Sequence, residues 1–193
     1  MHTEEVVAAV ATLWRYPVKS MLGEEINSSI VTPRGLLGDR AYALVDQTTG
    51  KIVSAKNPRK WPGMFRFRAV YVEAPDMHEG LPPVRITMPD GVSVTSSQPG
   101  LDSLLSRAVG SSVALQSQPP ANPKLEEYWP DVENLAHRET VTEEAMPPNS
   151  FFATRLDFCD NREPIARRRF GKYRSVSALL KLCIFGNRHR GWL

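Results

Sequence analysis

With 193 residues, 16 of them Pro, the chain suits one domain or two small interwoven ones built from short elements and turns rather than from long helices. No apolar run approaches the roughly 18 residues needed to cross a membrane, and Glu4 and Glu5 stand where a secretion signal would carry Lys or Arg, so a cytoplasmic protein is expected. The net charge of +3 is uneven: residues 153–193 hold ten Lys and Arg against three Asp and Glu, so a sequence pI near 9.0 argues for polyanion binding by that tail only.

Residues 6–16 are rich in β-branched and aromatic side chains and predict a first strand. Pro17 ends it, because Pro cannot donate to a sheet ladder, and such a break can redirect Lys19 and Ser20 toward a pocket. Residues 25–31 predict a second strand ending at Thr32-Pro33. Arg34-Gly35-Leu36-Leu37-Gly38-Asp39-Arg40 follows, with two glycines that permit a tight turn of positive φ running straight into an apolar strand over 41–45. The pair Asp39 and Arg40 is thereby placed at the mouth of a strand. Arg reads a planar or phosphate anion bidentately, and a neighbouring carboxylate fixes its fork, so Arg40 is a candidate anion anchor. The alternative is a β-turn carrying a surface ion pair worth little.

Residues 46–51 suit a hairpin loop leading to an antiparallel strand over 52–55. Lys56-Asn57-Pro58-Arg59-Lys60-Trp61-Pro62-Gly63 is a breaker-rich loop with three cations. It either frames an anion site with Arg40 or is a solvated loop with Trp61 packed inward. Residues 65–72 alternate as a half-buried strand with Arg66 and Arg68 facing solvent. A hairpin of 84–88 and 92–95 turns at Pro89-Asp90-Gly91, and 99–110 carries one short helix with an apolar stripe at 101, 104, 105 and 108. A short strand over 113–115 and a polar connector over 116–123 come next. From Lys124 the pattern weakens. Glu126, Glu127, Asp131, Glu133 and Glu139 read as a solvated face, since their spacing matches no calcium loop.

Three stretches in order, Leu13-Trp14-Arg15-Tyr16-Pro17-Val18-Lys19-Ser20, then Gly35-Leu36-Leu37-Gly38-Asp39-Arg40-Ala41-Tyr42-Ala43-Leu44-Val45-Asp46, then Gly50-Lys51 with Ser54-Ala55-Lys56-Asn57-Pro58-Arg59, resemble the start of the MOSC proteins. These are relatives of the C-terminal domain of molybdenum-cofactor sulfurase and include the amidoxime-reducing component. The resemblance covers roughly residues 5–152. It implies a mainly β (α+β) fold, with an antiparallel, barrel-like N-terminal domain over 1–120, the start of the MOSC domain over 121–152, and a divergent basic tail over 153–193. It also implies a molybdenum cofactor (molybdopterin) held between the domains. Lys19, Ser20 and Arg40 match the family positions that contact the cofactor. Lys56 and Arg59 belong to the third motif, where Lys56 stands in place of the Arg usual in relatives.

After Phe152 the chain departs from the family. The Arg-Phe-Arg-Pro-Asn segment and the metal-ligating cysteine expected later are absent; Cys159 and Cys183 sit in no family context and in no CxxC, so neither a zinc site nor a disulfide scaffold is expected. A truncated or frame-shifted gene is the expectation, and the metal ligand is unknown. The function implied is molybdenum-dependent oxidoreduction of N-oxygenated compounds, or cofactor-sulfur transfer, catalytically incomplete in this chain. The implied partners are the small-molecule cofactor and an electron-transfer protein, with no membrane. The alternative is a non-catalytic module whose tail, Arg167-Arg168-Arg169-Phe170-Gly171-Lys172-Tyr173-Arg174, contacts nucleic acid or another acidic partner nonspecifically.

Overall fold

The computed structural model describes residues 11–32, 35–131, 139–147 and 151. These divide between two compact units, one taking in 11–14, 25–32 and 35–37, the other 15–24, 38–131, 139–147 and 151. The short strands β1 (Trp14–Arg15) and β2 (Glu24–Glu25) straddle the division.

In the first unit the expected strand over 25–31 does not form as one piece. Asn27-Ser28-Ser29 offers side chains that compete for backbone partners and no apolar alternation, so regular pairing resumes only at β3 (Val31–Thr32). β3 pairs antiparallel with β4 (Gly35–Leu36), and Thr32 Oγ1 donates to the Gly35 carbonyl at 2.9 Å. Of the expected first strand, only residues 11–16 are described, and pairing there is confined to β1.

The second unit is built around β5 (Ala43–Asp46), buried along its whole length. Four consecutive buried residues are what a strand covered on both faces requires. One edge of β5 pairs antiparallel with β9 (Val113–Gln116). Along the other edge the strand expected over 52–55 is reduced to a single antiparallel bridge, Ile52 to Val45, with Val53 N–H donating to the Leu44 carbonyl at 2.9 Å, because the chain turns away at Ala55-Lys56. Ile52 then bridges Leu125 of β10 (Lys124–Trp129), which pairs in six-residue register with β11 (Thr140–Ala145). The segment after β5 is therefore threaded between β5 and the β10–β11 hairpin. Ala43, Val45, Ile52, Leu125, Met146 and Phe151 close a small apolar core there.

A larger core lies on the opposite side chains of the same strand, where Leu44, Val53, Trp61, Phe67, Ile86 and Leu105 are among the buried residues. It is roofed by the three-stranded sheet of β6 (Arg68–Tyr71), β7 (Val84–Thr87) and β8 (Ser93–Thr95), and by α1 (Leu101–Val109). The β7–β8 hairpin turns at Gly91 (φ 87°), and α1 lies between Gly100 and Gly110, as the apolar stripe and glycine stop imply. Arg66 and Arg68 are exposed, as expected, but Met64–Arg66 form a 3-10 turn, so the strand begins only at Arg68. Gly63 in a left-handed conformation and the preceding Pro62 favour that turn over an extended start.

The architecture is thus mainly antiparallel β with a single α-helix among the described residues. Their strands form five small sheets, linked in part by isolated bridges, and no closed barrel. Among the described residues no helix is long and apolar enough to cross a membrane.

Candidate functional site

Two turns meet at the start of β5. Val18 bridges Tyr42 in parallel, Lys19 N–H donates to the Tyr42 carbonyl at 2.8 Å, and Tyr42 N–H donates back to the Pro17 carbonyl at 3.0 Å. Pro17 therefore enters the pairing only as an acceptor, the one role its ring allows. Arg40 N–H donates to the Tyr16 carbonyl at 2.7 Å, and Tyr16 N–H donates to Asp39 Oδ1 at 2.7 Å. The other carboxylate oxygen of Asp39 lies 3.5 Å from Arg40 Nη1. Asp39 thus serves as both a backbone clamp and a brace for the guanidinium, the role its position beside Arg40 suggests. Burial raises the Asp39 carboxyl above its usual range, against the pull of Arg40 and the Tyr16 N–H.

The glycine turn is held from behind. Tyr71 Oη donates to the Gly38 carbonyl at 2.9 Å, and Gly38 (φ 80°) leaves no room for a side chain: a Cβ there would stand 2.9 Å from Tyr71 and Pro75. Arg15 packs its guanidinium over the Tyr71 ring, 4.8 Å from the centroid, and pairs with Glu24 at 2.8 Å. Motif reading does not single out Tyr71, Glu24 or Arg15 as supports; only the alternation of 65–72 hints that Tyr71 points inward.

Among the described residues, the non-glycine positions with left-handed backbone are Ser20 (φ 64°) and Arg40 (φ 48°). Each costs of order 1 kcal/mol, and such conformations persist where the surroundings over-determine them, often at binding sites. Ser20 Oγ accepts the Ala55 N–H at 3.0 Å, which fixes the hydroxyl oxygen and leaves its proton to be donated.

Lys19 is 8% exposed. Among the described residues no carboxylate lies within ion-pair distance of its ammonium, while Arg40 and Lys56 add positive charge nearby. Burial first, then Arg40 and Lys56, pulls the Lys19 amine down to about 8, with Glu144 opposing. A buried cation whose close neighbours are cations is an arrangement that an anion relieves. Lys19, Ser20, Arg40 and Lys56 are thus brought into one neighbourhood by the two turns and the segment after β5.

Arg59 is placed differently. Its guanidinium pairs with Glu139 and lies 4.5 Å from the centre of the Tyr128 ring. Its neighbours follow the same rule: Lys60 bonds Asp46 and Glu126, each at 3.1 Å, and Lys51 bonds Glu126 at 2.8 Å and also Glu143. Lys56 stands in both camps, with Nζ 2.5 Å from Glu144 Oε2 and 3.5 Å from Glu127 Oε1. The acidic stretch is therefore not merely a solvated face. The β10–β11 hairpin turns its carboxylates onto the loop after β5, a pairing that needed the long-range register of β10 to be seen. Glu126 and Glu143 are held below the usual carboxylate range chiefly by Lys51.

Two open grooves lie elsewhere. One of about 720 Å³ is lined by Val45, Asp46, Gln47, Leu115, Gln116 and Pro119 among others, the second by residues of α1 and β9; neither includes Lys19, Ser20, Arg40, Lys56 or Arg59. Among the described residues no group of three or more His, Cys, Asp and Glu side chains is placed to hold a metal ion. Cys159, Cys183 and the cationic run 167–174 lie outside the described residues.

The model of the MOSC N-terminal beta barrel domain matches residues 7–108, more than half of the chain. The chain belongs to the MOSC family. The match takes in both turns and the segment through Arg59, so the candidate site lies within the part of this MOSC chain that the family model describes. No curated protein and no solved structure matches the chain.

Proposed function

We propose that this MOSC chain binds the phosphate end of a molybdenum-pterin cofactor through Lys19, Ser20 and Arg40, with Lys56 beside them. The observation that carries the reading is the buried Lys19 ammonium, set among Arg40 and Lys56 with no carboxylate of the described residues in ion-pair reach. The donor set fits the group: two or three fixed cations and a hydroxyl donor suit a phosphate monoester. Arg59, paired with Glu139, is the weakest member of the set.

When bound, the cofactor would supply the redox or sulfur-transfer chemistry that the family resemblance implies. The chain's own residues bind and orient. Arg40, braced by Asp39, presents a fixed fork; Ser20, pinned by Ala55, presents its proton; Lys19 adds buried charge that an arriving anion stabilises. Residues 121–152 are proposed as the start of the second, cofactor-facing domain.

The test is the content of the full-length protein purified from molybdate-supplemented cells. Oxidised pterin fluorescence and bound molybdenum should accompany the wild-type chain and be lost together in Lys19→Met. A wild-type chain free of pterin under conditions that load other molybdoproteins would contradict the reading.

A further inference from the structure

Resting on that reading of the Lys19 cluster, we infer that Glu144 is a built-in counter-anion that competes with the bound ligand for Lys56 and so ties anion binding to the β10–β11 hairpin. Lys56 follows directly on the Ser54-Ala55 backbone that pins Ser20, and its carbonyl accepts the Tyr128 N–H of β10 at 2.9 Å. Its backbone is thus fixed between the site and the hairpin, and its ammonium has a choice of partners. Glu144 Oε2 takes it at 2.5 Å, with Glu127 Oε1 behind at 3.5 Å.

Glu144 also acts on Lys19 itself: it is the carboxylate whose charge opposes burial, Arg40 and Lys56 in setting the Lys19 amine. Of the other carboxylates there, Glu127 shares Lys56 at the longer distance of 3.5 Å, Glu126 and Glu143 are engaged by Lys51, and Glu139, just before β11, is engaged by Arg59. A negative side chain placed beside a cation cluster occupies part of the role of a ligand phosphate. An arriving anion strengthens its grip by drawing Lys56 off Glu144, and it does so against the Lys56–Glu144 attraction. Removing the carboxylate removes that opposition and leaves three cations with one fewer internal counter-charge. The hairpin then loses one of the ties between β11 and the loop after β5, so hairpin and site exchange one cation between them.

The experiment uses the full 193-residue chain and pyrophosphate as probe, with affinity read by calorimetry and the Lys19 amine titrated by NMR without added anion. Glu144→Gln is expected to tighten pyrophosphate binding roughly three- to tenfold and to push the Lys19 titration below its wild-type midpoint. Glu144→Asp, which keeps the charge and guards against a folding artefact, should remain within about twofold of wild type. Glu143→Gln, on the same strand but paired with Lys51 and Lys124, should do the same. In a Lys56→Met background Glu144→Gln should lose most of its effect on affinity. Unchanged affinity and an unchanged Lys19 titration in Glu144→Gln, with wild-type binding abolished by Lys19→Met, would overturn the inference and leave the site reading standing. Absence of pyrophosphate binding in wild type and Glu144→Gln alike would overturn both.

Discussion

The two turns at Lys19 and Arg40 and the loop from Lys51 to Lys60 are both cationic, and both flank β5, yet they are partnered in opposite ways. Lys51, Arg59 and Lys60 each meet a carboxylate of β5, β10 or the segment just before β11. Lys19 is more deeply buried than any of them and meets none among the described residues. A count of Lys and Arg would rank the loop first as an anion site. Partnering reverses the order, because a cation already neutralised gains little from a ligand, whereas a buried cation among cations is held at a cost that an anion offsets.

Lys19→Met against Lys60→Met gives the largest contrast. Loss of Lys19 should weaken pyrophosphate binding by about a hundredfold or more while raising stability by roughly 1–3 kcal/mol at neutral pH. Loss of Lys60 should leave binding within about twofold but destabilise by roughly 1–3 kcal/mol, because Asp46, nearly buried, loses a partner. Urea denaturation beside calorimetry reads both. Equal signs for the two stability changes would erase the distinction.

pH separates the regions next. The folded Lys19 amine, near 8, lies below its ordinary value of 10.5, so its protonated form counts against the fold below about 8. That penalty is relieved as pH rises from about 8 toward 10.5, and the stability advantage of Lys19→Met should shrink over that interval. Asp46 behaves oppositely. Burial pushes its carboxyl up, but hydrogen bonds from Thr48, Thr49 and Lys60 outweigh it and hold it well below the usual range. With Glu126 and Glu143 also lowered, this support is present above the ordinary carboxylate range and is lost as pH falls through the folded values. Denaturation midpoints at pH 3, 7 and 10 for wild type and Lys19→Met would show the crossover.

A smaller effect isolates backbone strain. Arg40→Gly and Arg40→Ala remove the same charge, but Gly accepts the left-handed conformation that Ala resists, so the Gly variant should be more stable by about 1 kcal/mol. Matched thermal unfolding decides it, and an Ala variant equal to Gly would mean that the turn relaxes. The smallest change is expected for Glu143→Gln, whose solvent-exposed pairings with Lys51 and Lys124 are screened by water, so its unfolding midpoint should match wild type.

Much of this was legible locally. The Pro17 break, the glycine turn, the hairpin at Gly91 and the helix before Gly110 each follow from a residue that allows few backbone conformations. Lys19, Ser20 and Arg40 could be named because they sit on such punctuation. What stayed hidden depended on distant partners. Within residues 124–129 only Leu125 is buried, beside Ile52, and the carboxylates on β10 and β11 acquire a role only once that bridge is seen. The single strand expected over 25–31 failed for a local reason that a stricter reading of Asn27-Ser28-Ser29 would have caught. Glu144 carries no motif at all; its proximity to the Lys19 cluster exists only through the β10–β11 register.

The titration midpoint of the Lys19 amine, followed by NMR with and without saturating pyrophosphate, tests the central claim most directly. The cluster reading predicts a midpoint near 8 in the free chain and a marked rise when the anion binds, because the anion favours the protonated amine. A midpoint at the ordinary lysine value, unmoved by the anion, would contradict it.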